Sequence, residues 1–391
     1  MPNTAEIKKI VWLASWYPTE IDQLTGDFIM RQAQAFSLFN PVTVIHVQKS
    51  NRHIKSETIT INDAAFPNLT QIIRYYTVPQ LGWVGRLYSY LYSLWLYRCL
   101  IKKYIQQHGR PNVLHVHVLL RCGLVALYYK WGHKIPYVVT EHSGDYLPAA
   151  KGYVKGITRL NYLLLKLVLK NASAFLPVSM ALANALKAKF AVPPVTVIPN
   201  VVNTNIFYPT PTPAPCSPPV FLHVSTLSAP KNIEGMLQAF AILKNIYKAA
   251  FKLRIVGPPA DYYRLLSQQL GIGDNIEWLG ETTQQNIAIL LNRSTAFVLF
   301  SRFETFGCLN IEAIACGVPI IVSDIPTFKE YLQNLIAVHF AATEDAVDLA
   351  KVLYDFIISN KKYDKTAIAT QAKQFNYQTV GKRIADVYNA I

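Results

Sequence analysis

Runs of Val, Ile, Leu and Phe, short enough for single strands, punctuate the chain: KIVWLAS (9–15), PVTVIHV (41–47), NVLHVHV (112–118), PYVVTEH (136–142) and AFLPVS (174–179). A second series follows in PVFLHVS (219–225), FKLRIVG (251–257), NIEWLG (275–280), TAFVLF (295–300) and VPIIVSD (318–324). Between most of these runs lie stretches of helix length with amphipathic spacing. Strands that are apolar at nearly every position and alternate with helices belong to parallel sheets covered on both faces. Two such series predict two doubly wound domains. The segment VTVIPNVVNTNIFYPTPTPAPCSPP (195–219) separates them, and its proline density from Pro209 to Pro219 is too high for a central strand or a helix. The boundary is therefore expected near Asn200, giving domains at 1–200 and 201–375, with 376–391 as a C-terminal helix packing back on the first domain. In such sheets ligands bind at the carboxyl ends of the strands, which places the expected site in a cleft between the domains.

Composition refines this picture. The 391 residues are 51% apolar and 16% charged, a balance that fits a chain with large buried cores. The start, MPNTAEIKKIVWLASW, reads as a strand preceded by mixed charges rather than as a signal peptide. No uncharged apolar run reaches the roughly 18 residues of a membrane span. Five cysteines (99, 122, 216, 308, 316) lack paired spacing, which favours a reducing cytoplasm over a disulfide framework or a zinc site. The net charge of +15 is concentrated in residues 1–200, which hold 22 Lys and Arg against 8 Asp and Glu, compared with 16 against 15 in the remainder. Charge of that kind suits nucleic acid, an anionic membrane surface or an acidic acceptor, and does not choose among them. The basic residues are dispersed and carry no nucleic-acid-binding motif.

Candidate chemistry gathers in FETFGCLNIEAIACG (303–317). Phe297–Phe303 reads as a buried strand, ETFG as the turn after it and CLNIEAIAC as the next helix. Gly307 would let backbone approach a ligand, and the amides near Phe306, Gly307 and Cys308 would be the free donors of a helix N-terminus, suited to phosphate. Glu304 sits in the loop at the strand's carboxyl end. Glu312, inside the helix between Cys308 and Cys316, needs a partner such as a pair of ligand hydroxyls. Helix capping by Glu304 and a buried ion pair at Glu312 is an equally weighted structural reading. A metal held by Cys308, Glu312 and Cys316 is disfavoured, since the set lacks histidine. His115 and His117 alternate on one strand and so share a face; packing, with one of the two near the cleft, is the favoured reading over a metal.

The stretch SRFETFGCLNIEAIACGVPIIVSD (301–324) resembles the E-x7-E signature of family 4 glycosyltransferases, retaining enzymes of the GT-B fold that use nucleotide-sugar donors. The resemblance extends over nearly the whole chain. WLASWYP and GDFIMRQAQAF look like the family's first strand, loop and helix; HVH and IPYVVTEHSGDY like later N-terminal strands; VTVIPNVVNTNIF like its hinge; HVSTLSAPKNIEGMLQAF like its donor-binding lysine segment. It implies two Rossmann-like domains facing a central cleft and no bound metal. Catalytic roles would fall to Lys231, neutralising the departing diphosphate, to Glu304, holding hydroxyls of the donor hexose, and to His142, lying over the transferred sugar. Donor contacts would come from Gly26, from the Thr305, Phe306, Gly307 and Cys308 amides, and from Glu312 toward the ribose. One departure stands out: where the family often has arginine five residues before the lysine, this chain has Thr226, which lacks the charge-assisted fork that grips a diphosphate. Arg302 is a candidate replacement, though a scaffold ion pair is the favoured reading for it. The implied reaction moves a hexose to a glycan or lipid-linked acceptor, as in cell-surface polysaccharide or glycolipid synthesis. Alternatives are a nucleotide-sugar epimerase or hydrolase of the same fold and, more weakly, a nucleic-acid-associated protein or a silent scaffold. Residues 81–107, dense in Tyr, Trp and Leu and ending near Lys102 and Lys103, read either as an interfacial helix at the inner face of a plasma membrane or as a core helix.

Overall fold

Strand β1 (Ile10–Ala14) is apolar and buried at every position, so it must lie inside a sheet that is covered on both faces. The computed structural model, described for residues 8–50, 56–79, 82–154, 156–211 and 217–391, builds that sheet as follows. After β1 come α1 (Asp27–Ser37), β2 (Val42–Lys49), β3 (Thr58–Asp63), β4 (Phe66–Tyr76), α2 (Gly82–His108), β5 (Val113–His117), α3 (Leu119–His133), β6 (Tyr137–Thr140), α4 (Arg159–Asn171), β7 (Ala174–Phe175) and α5 (Met180–Lys187). The strand order is β3-β4-β2-β1-β5-β6-β7, parallel except for the β3–β4 hairpin at one edge. That hairpin is absent from the strand pattern read above. Its outer strand is largely exposed and buries no continuous apolar run.

The second series follows the same plan. It runs β8 (Val220–Val224), α6 (Ile233–Asn245), β9 (Lys252–Val256), α7 (Asp261–Gln269), β10 (Ile276–Gly280), α8 (Gln284–Asn292), β11 (Ala296–Leu299), α9 (Cys308–Ala315), β12 (Ile320–Ser323), α10 (Pro326–Leu332), β13 (Val338–Ala341), α11 (Ala346–Ser359) and α12 (Lys365–Thr370). Its sheet has the order β10-β9-β8-β11-β12-β13 and is parallel throughout. The last helix, α13 (Tyr377–Asn389), packs on α1, and Gly381 is needed there because a Cβ would stand 2.1 Å from the Ala35 carbonyl oxygen.

Two α/β units result. The first contains Met1–Ser143, Gly156–Val201 and Tyr377–Ile391; the second contains Gly144–Lys155 and Val202–Asn376. Each has its own core, around Trp12, Phe36 and Tyr75 in the first and around Phe221, Phe240 and Phe251 in the second. In each sheet the chain begins at a central strand, moves to one side, then returns to that strand's other side. The reversal falls between β1 and β5 in the first sheet and between β8 and β11 in the second. Loops leaving the carboxyl ends of such a strand pair diverge and leave a crevice.

Candidate active site

In the second unit the loops after β8 and β11 flank the reversal point, and they meet. Lys231, at the end of the β8 loop, forms an ion pair with Glu304 of the β11 loop, both side chains being largely buried. Glu304 Oε1 also accepts from Ser301 Oγ at 2.9 Å, while its carbonyl accepts from Thr327 Oγ1 at 2.7 Å. The Arg302 amide donates to the Pro230 carbonyl at 2.8 Å, tying the two loops together through backbone. Arg302 itself reaches away from this pair. Its Nε donates to Glu344 Oε1 at 2.6 Å, its Nη1 donates to the Ala229 carbonyl, and its guanidinium lies 5.6 Å from the Tyr153 ring. Thr226 is exposed, with its hydroxyl 3.0 Å from Ser228 Oγ.

The β8 loop has an internal anchor that sequence reasoning missed. His223, fully buried, donates from Nδ1 to the Val298 carbonyl at 2.9 Å and accepts at Nε2 from Ser225 Oγ at 2.7 Å. Ser225 Oγ in turn accepts from the Leu227 amide at 3.1 Å. Burial lowers the His223 pKa to about 4, so it stays neutral and keeps this donor–acceptor pattern at physiological pH. A histidine at the exit of a predicted strand was the available signal.

Gly307 caps α9 with a φ of 80°, and a Cβ there would stand 2.7 Å from Phe328 Cε1, so glycine is required on both counts. Phe306 is buried and stacks on Tyr331 with ring centroids 4.7 Å apart. The Tyr331 hydroxyl donates to the Phe306 carbonyl and thereby holds the turn. Thr305 and Cys308 flank it at the start of the helix. Glu312 follows on α9 and is buried, and it adds to the burial that drives the Cys316 thiol up to about 12. Lys231, Thr226, Arg302, Glu304, Thr305, Phe306, Gly307, Cys308 and Glu312 thus all belong to the second unit, and the two β-loops bring Lys231 and Glu304 into contact.

Gly26 and His142 belong to the first unit. Gly26 caps α1 with a φ of 80°; a Cβ would lie 2.5 Å from the Trp16 carbonyl carbon, so the loop after β1 closes only with glycine. Phe28, two residues on, packs against His142 with centroids 4.7 Å apart. His115 and His117 share a face of β5 as their alternation requires. His115 contacts the Tyr388 hydroxyl through Nδ1 and Thr140 Oγ1 through Nε2 at 2.7 Å. His117 Nδ1 lies 3.3 Å from His142 Nε2. Burial holds His142 down to about 3 and the other two well below the usual imidazole range, so all three rings are neutral near pH 7. His142 Nδ1 and His117 Nε2 are buried with no protein hydrogen-bond partner. A ring fixed on one nitrogen with an unsatisfied group on the other is suited to present a hydrogen bond to a ligand oxygen.

Glu141, also missed, fixes the backbone here. Fully buried, it accepts from the Leu119 amide at 3.0 Å, capping α3, and from the His142 and Ser143 amides at 2.8 and 2.7 Å. Val118, at the turn into α3, has a φ of 67°, a strained value for a β-branched residue. Among the described residues no group of three or more His, Cys, Asp and Glu side chains is arranged to hold a metal ion. Cys99, Cys122, Cys308 and Cys316 form no disulfide; Cys216 lies outside the described residues.

Comparison with known proteins matches each half of the chain to a family model. Residues 41–206 match the Glycosyltransferase Family 4 model and residues 208–373 the Glycosyl transferases group 1 model. Among curated proteins, N-acetyl-alpha-D-glucosaminyl L-malate synthase of Bacillus anthracis is 33% identical over 117 residues, 29% of this chain and 30% of the relative. Alpha-monoglucosyldiacylglycerol synthase of Streptococcus pneumoniae is 27% identical over 170 residues, 43% of this chain and 38% of the relative. O-antigen chain mannosyltransferase B of Escherichia coli is 26% identical over 174 residues, 44% and 45% of the two chains. The alignments thus span less than half of these relatives. Among solved structures, sucrose-phosphate synthase from Thermosynechococcus elongatus superposes with a TM-score of 0.75 at 19% identity, over 98% of this chain and 99% of that one. HepE of Anabaena in complex with UDP gives 0.69 at 18% identity, over 98% and 100%. At these identities the likeness establishes the fold.

Proposed function

Because this chain belongs to the family 4 glycosyltransferases of GT-B fold, we propose that it is a hexosyltransferase. It moves a hexose from a nucleotide-diphosphate sugar to a glycan or lipid-linked acceptor, with retention of anomeric configuration and no metal. The observation that carries this reading is the Lys231–Glu304 pair at the chain-reversal point of the second sheet, beside the N-terminus of α9.

Each group then has a task set by its chemistry. Glu304, its carboxylate held by Ser301 and its backbone carbonyl by Thr327, accepts from hydroxyls of the donor hexose. Lys231 stays close enough to exchange its carboxylate partner for the diphosphate. Negative charge on that leaving group grows toward the transition state, so an ammonium there lowers the barrier more than it strengthens ground-state binding. Amides at residues 305–308 supply helix-end donors, and Glu312 takes the ribose hydroxyls. Arg302, engaged with Glu344 and Ala229, supports the loops that carry Lys231 and Glu304, and in this reading that support compensates for Thr226. His142 donates from Nδ1 to a sugar oxygen. The acceptor hydroxyl attacks from the face the leaving group vacates, and the departing phosphate takes its proton.

The relatives named above include a mannosyltransferase of O-antigen chains and a synthase of glycosyldiacylglycerol. These names support polysaccharide or glycolipid synthesis, which we place at the cytoplasmic face of a plasma membrane. The test is a screen of UDP-, GDP- and ADP-hexoses in EDTA, following nucleotide release and reading by proton NMR the anomer first formed. Release of nucleoside diphosphate with an α-product from an α-donor is expected. An inverted product, or activity that EDTA abolishes and divalent metal restores, would refute retention or metal independence respectively.

A further inference from the structure

The N-terminal half of helix α2 is turned inside out. The buried face of the helix carries Gly85, Ser89 and Ser93, then Leu96, Tyr97, Ile101 and Tyr104, whereas Trp83, Val84, Leu87, Tyr88, Leu91 and Trp95 face solvent. Trp83 is 71% exposed and Leu91 55%, while Ser93 is 0% exposed. The inward serines are satisfied: Ser89 Oγ lies 3.0 Å from the Tyr76 hydroxyl, and Ser93 Oγ donates to the Tyr90 carbonyl at 2.7 Å. Further along the helix, the Tyr97 hydroxyl donates to the Ala14 carbonyl at 2.7 Å and anchors it to the sheet. The outward apolar row is therefore not a packing failure awaiting a rotation. Tyr88, Tyr92 and Trp95 stack along it with centroid spacings of 5.8 and 5.4 Å.

The neighbouring helices continue the theme. α2 packs on α3 and α3 on α4. Arg98 lies 4.0 Å over the Tyr128 ring, and Trp131 donates to Asn171 at 3.3 Å. Trp131, Leu160, Leu163 and Leu167 are exposed in turn. Across α2, α3 and α4 there is no aspartate or glutamate, while Arg86, Arg98, Lys102, Lys103, Arg159, Lys166 and Lys170 are exposed cations. No helix among the described residues is long and apolar enough to cross a membrane. A layer that shows water Trp, Tyr and Leu framed only by cations has the chemistry of an interfacial membrane-binding face. A second copy docked symmetrically would set these cations against their own kind.

We propose that the outer face of α2, α3 and α4 docks on an anionic lipid bilayer, with Trp83, Leu87, Leu91 and Trp95 entering the headgroup boundary. The proposal rests on the lipid-linked acceptor reading but is tested without any donor. Full-length protein is floated with vesicles of phosphatidylcholine alone and of phosphatidylcholine with phosphatidylglycerol, at low and high salt. Binding to the anionic vesicles is expected, reduced but not removed by salt. Lys102→Glu with Lys103→Glu should lower the low-salt partition on the order of tenfold or more. Leu87→Glu with Leu91→Glu should remove the salt-resistant part. Both pairs are exposed, so thermal unfolding should be unchanged and nucleotide release from a soluble donor equal to that of the parent.

Failure of the parent to float at low salt would overturn the proposal. So would equal flotation of the leucine variant, or a parent dimer that this variant converts to monomer without vesicle binding. Flotation as expected, with no nucleotide-sugar turned over by any of the proteins, would leave the docking face standing and remove the hexosyltransferase reading instead.

Discussion

Replacing Glu141 by alanine removes the acceptor of three backbone amides at once, those of Leu119, His142 and Ser143. All three bonds are buried. A buried donor left without an acceptor costs about 1–3 kcal/mol, so three would cost about 3–9 kcal/mol if none found water. The vacated volume can admit water that restores one or two of the bonds. We therefore expect a net loss of about 3–5 kcal/mol, large for a single substitution. Glu141→Gln keeps one oxygen for two amides and turns an NH2 toward the third, so it should lose about 1–3 kcal/mol. Urea unfolding followed by tryptophan fluorescence suits this test, because Trp12, Trp16, Trp83, Trp95 and Trp131 lie in the first unit and only Trp278 in the second. The alanine variant, where it stays folded, should also turn over donor more slowly at unchanged nucleotide affinity, since it frees the His142 amide and leaves the Lys231–Glu304 pair untouched. A loss below about 1 kcal/mol in Glu141→Ala would show that the carboxylate does not hold this turn.

Lys231→Ala should lower kcat more than nucleotide-sugar affinity; equal affinity loss with unchanged kcat would make the lysine a simple anchor. Glu312→Ala should weaken nucleoside diphosphate binding by on the order of tenfold to a hundredfold, from charged hydrogen bonds to ribose. Calorimetry showing unchanged affinity in the folded variant would remove that role. His115, His117, His142 and His223 are buried with folded-state pKa values below those of the unfolded chain. As pH falls below about 6.5 the unfolded state takes up protons that the native state refuses, so stability is complete above that pH and declines beneath it. Each such group contributes up to about 1.4 kcal/mol per pH unit. Urea midpoints should drop between pH 6.5 and 5, and a flat profile would contradict the buried neutral rings.

The two-sheet architecture was legible because its central strands are apolar on both faces, a pattern that period and length alone distinguish. The β3–β4 hairpin was not, since Thr58–Asp63 alternates weakly at an exposed edge. In the site, Glu304, Gly307 and Glu312 stood out as polar or glycine positions in an apolar run. Glu141 and His223 did not, because each acts through backbone partners that only strand order brings near. For α2 the near-uniform hydropathy hid the answer: Gly85, Ser89 and Ser93 turn inward, with Ser89 hydrogen-bonded to Tyr76, which leaves the large apolar side chains of that half outside.

In the proposed reaction the β8 and β11 loops form a nucleotide-sugar site through Lys231 and Glu304. The most direct measurement is steady-state nucleoside diphosphate release by the parent, Lys231→Ala and Glu304→Gln, each shown to be folded, across UDP-, GDP- and ADP-hexoses. Release from at least one donor by the parent is expected, with a loss on the order of a hundredfold or more in kcat/KM for both variants. Release that persists undiminished in either variant, or a parent that turns over and binds none of these donors, would contradict this reading of the two loops.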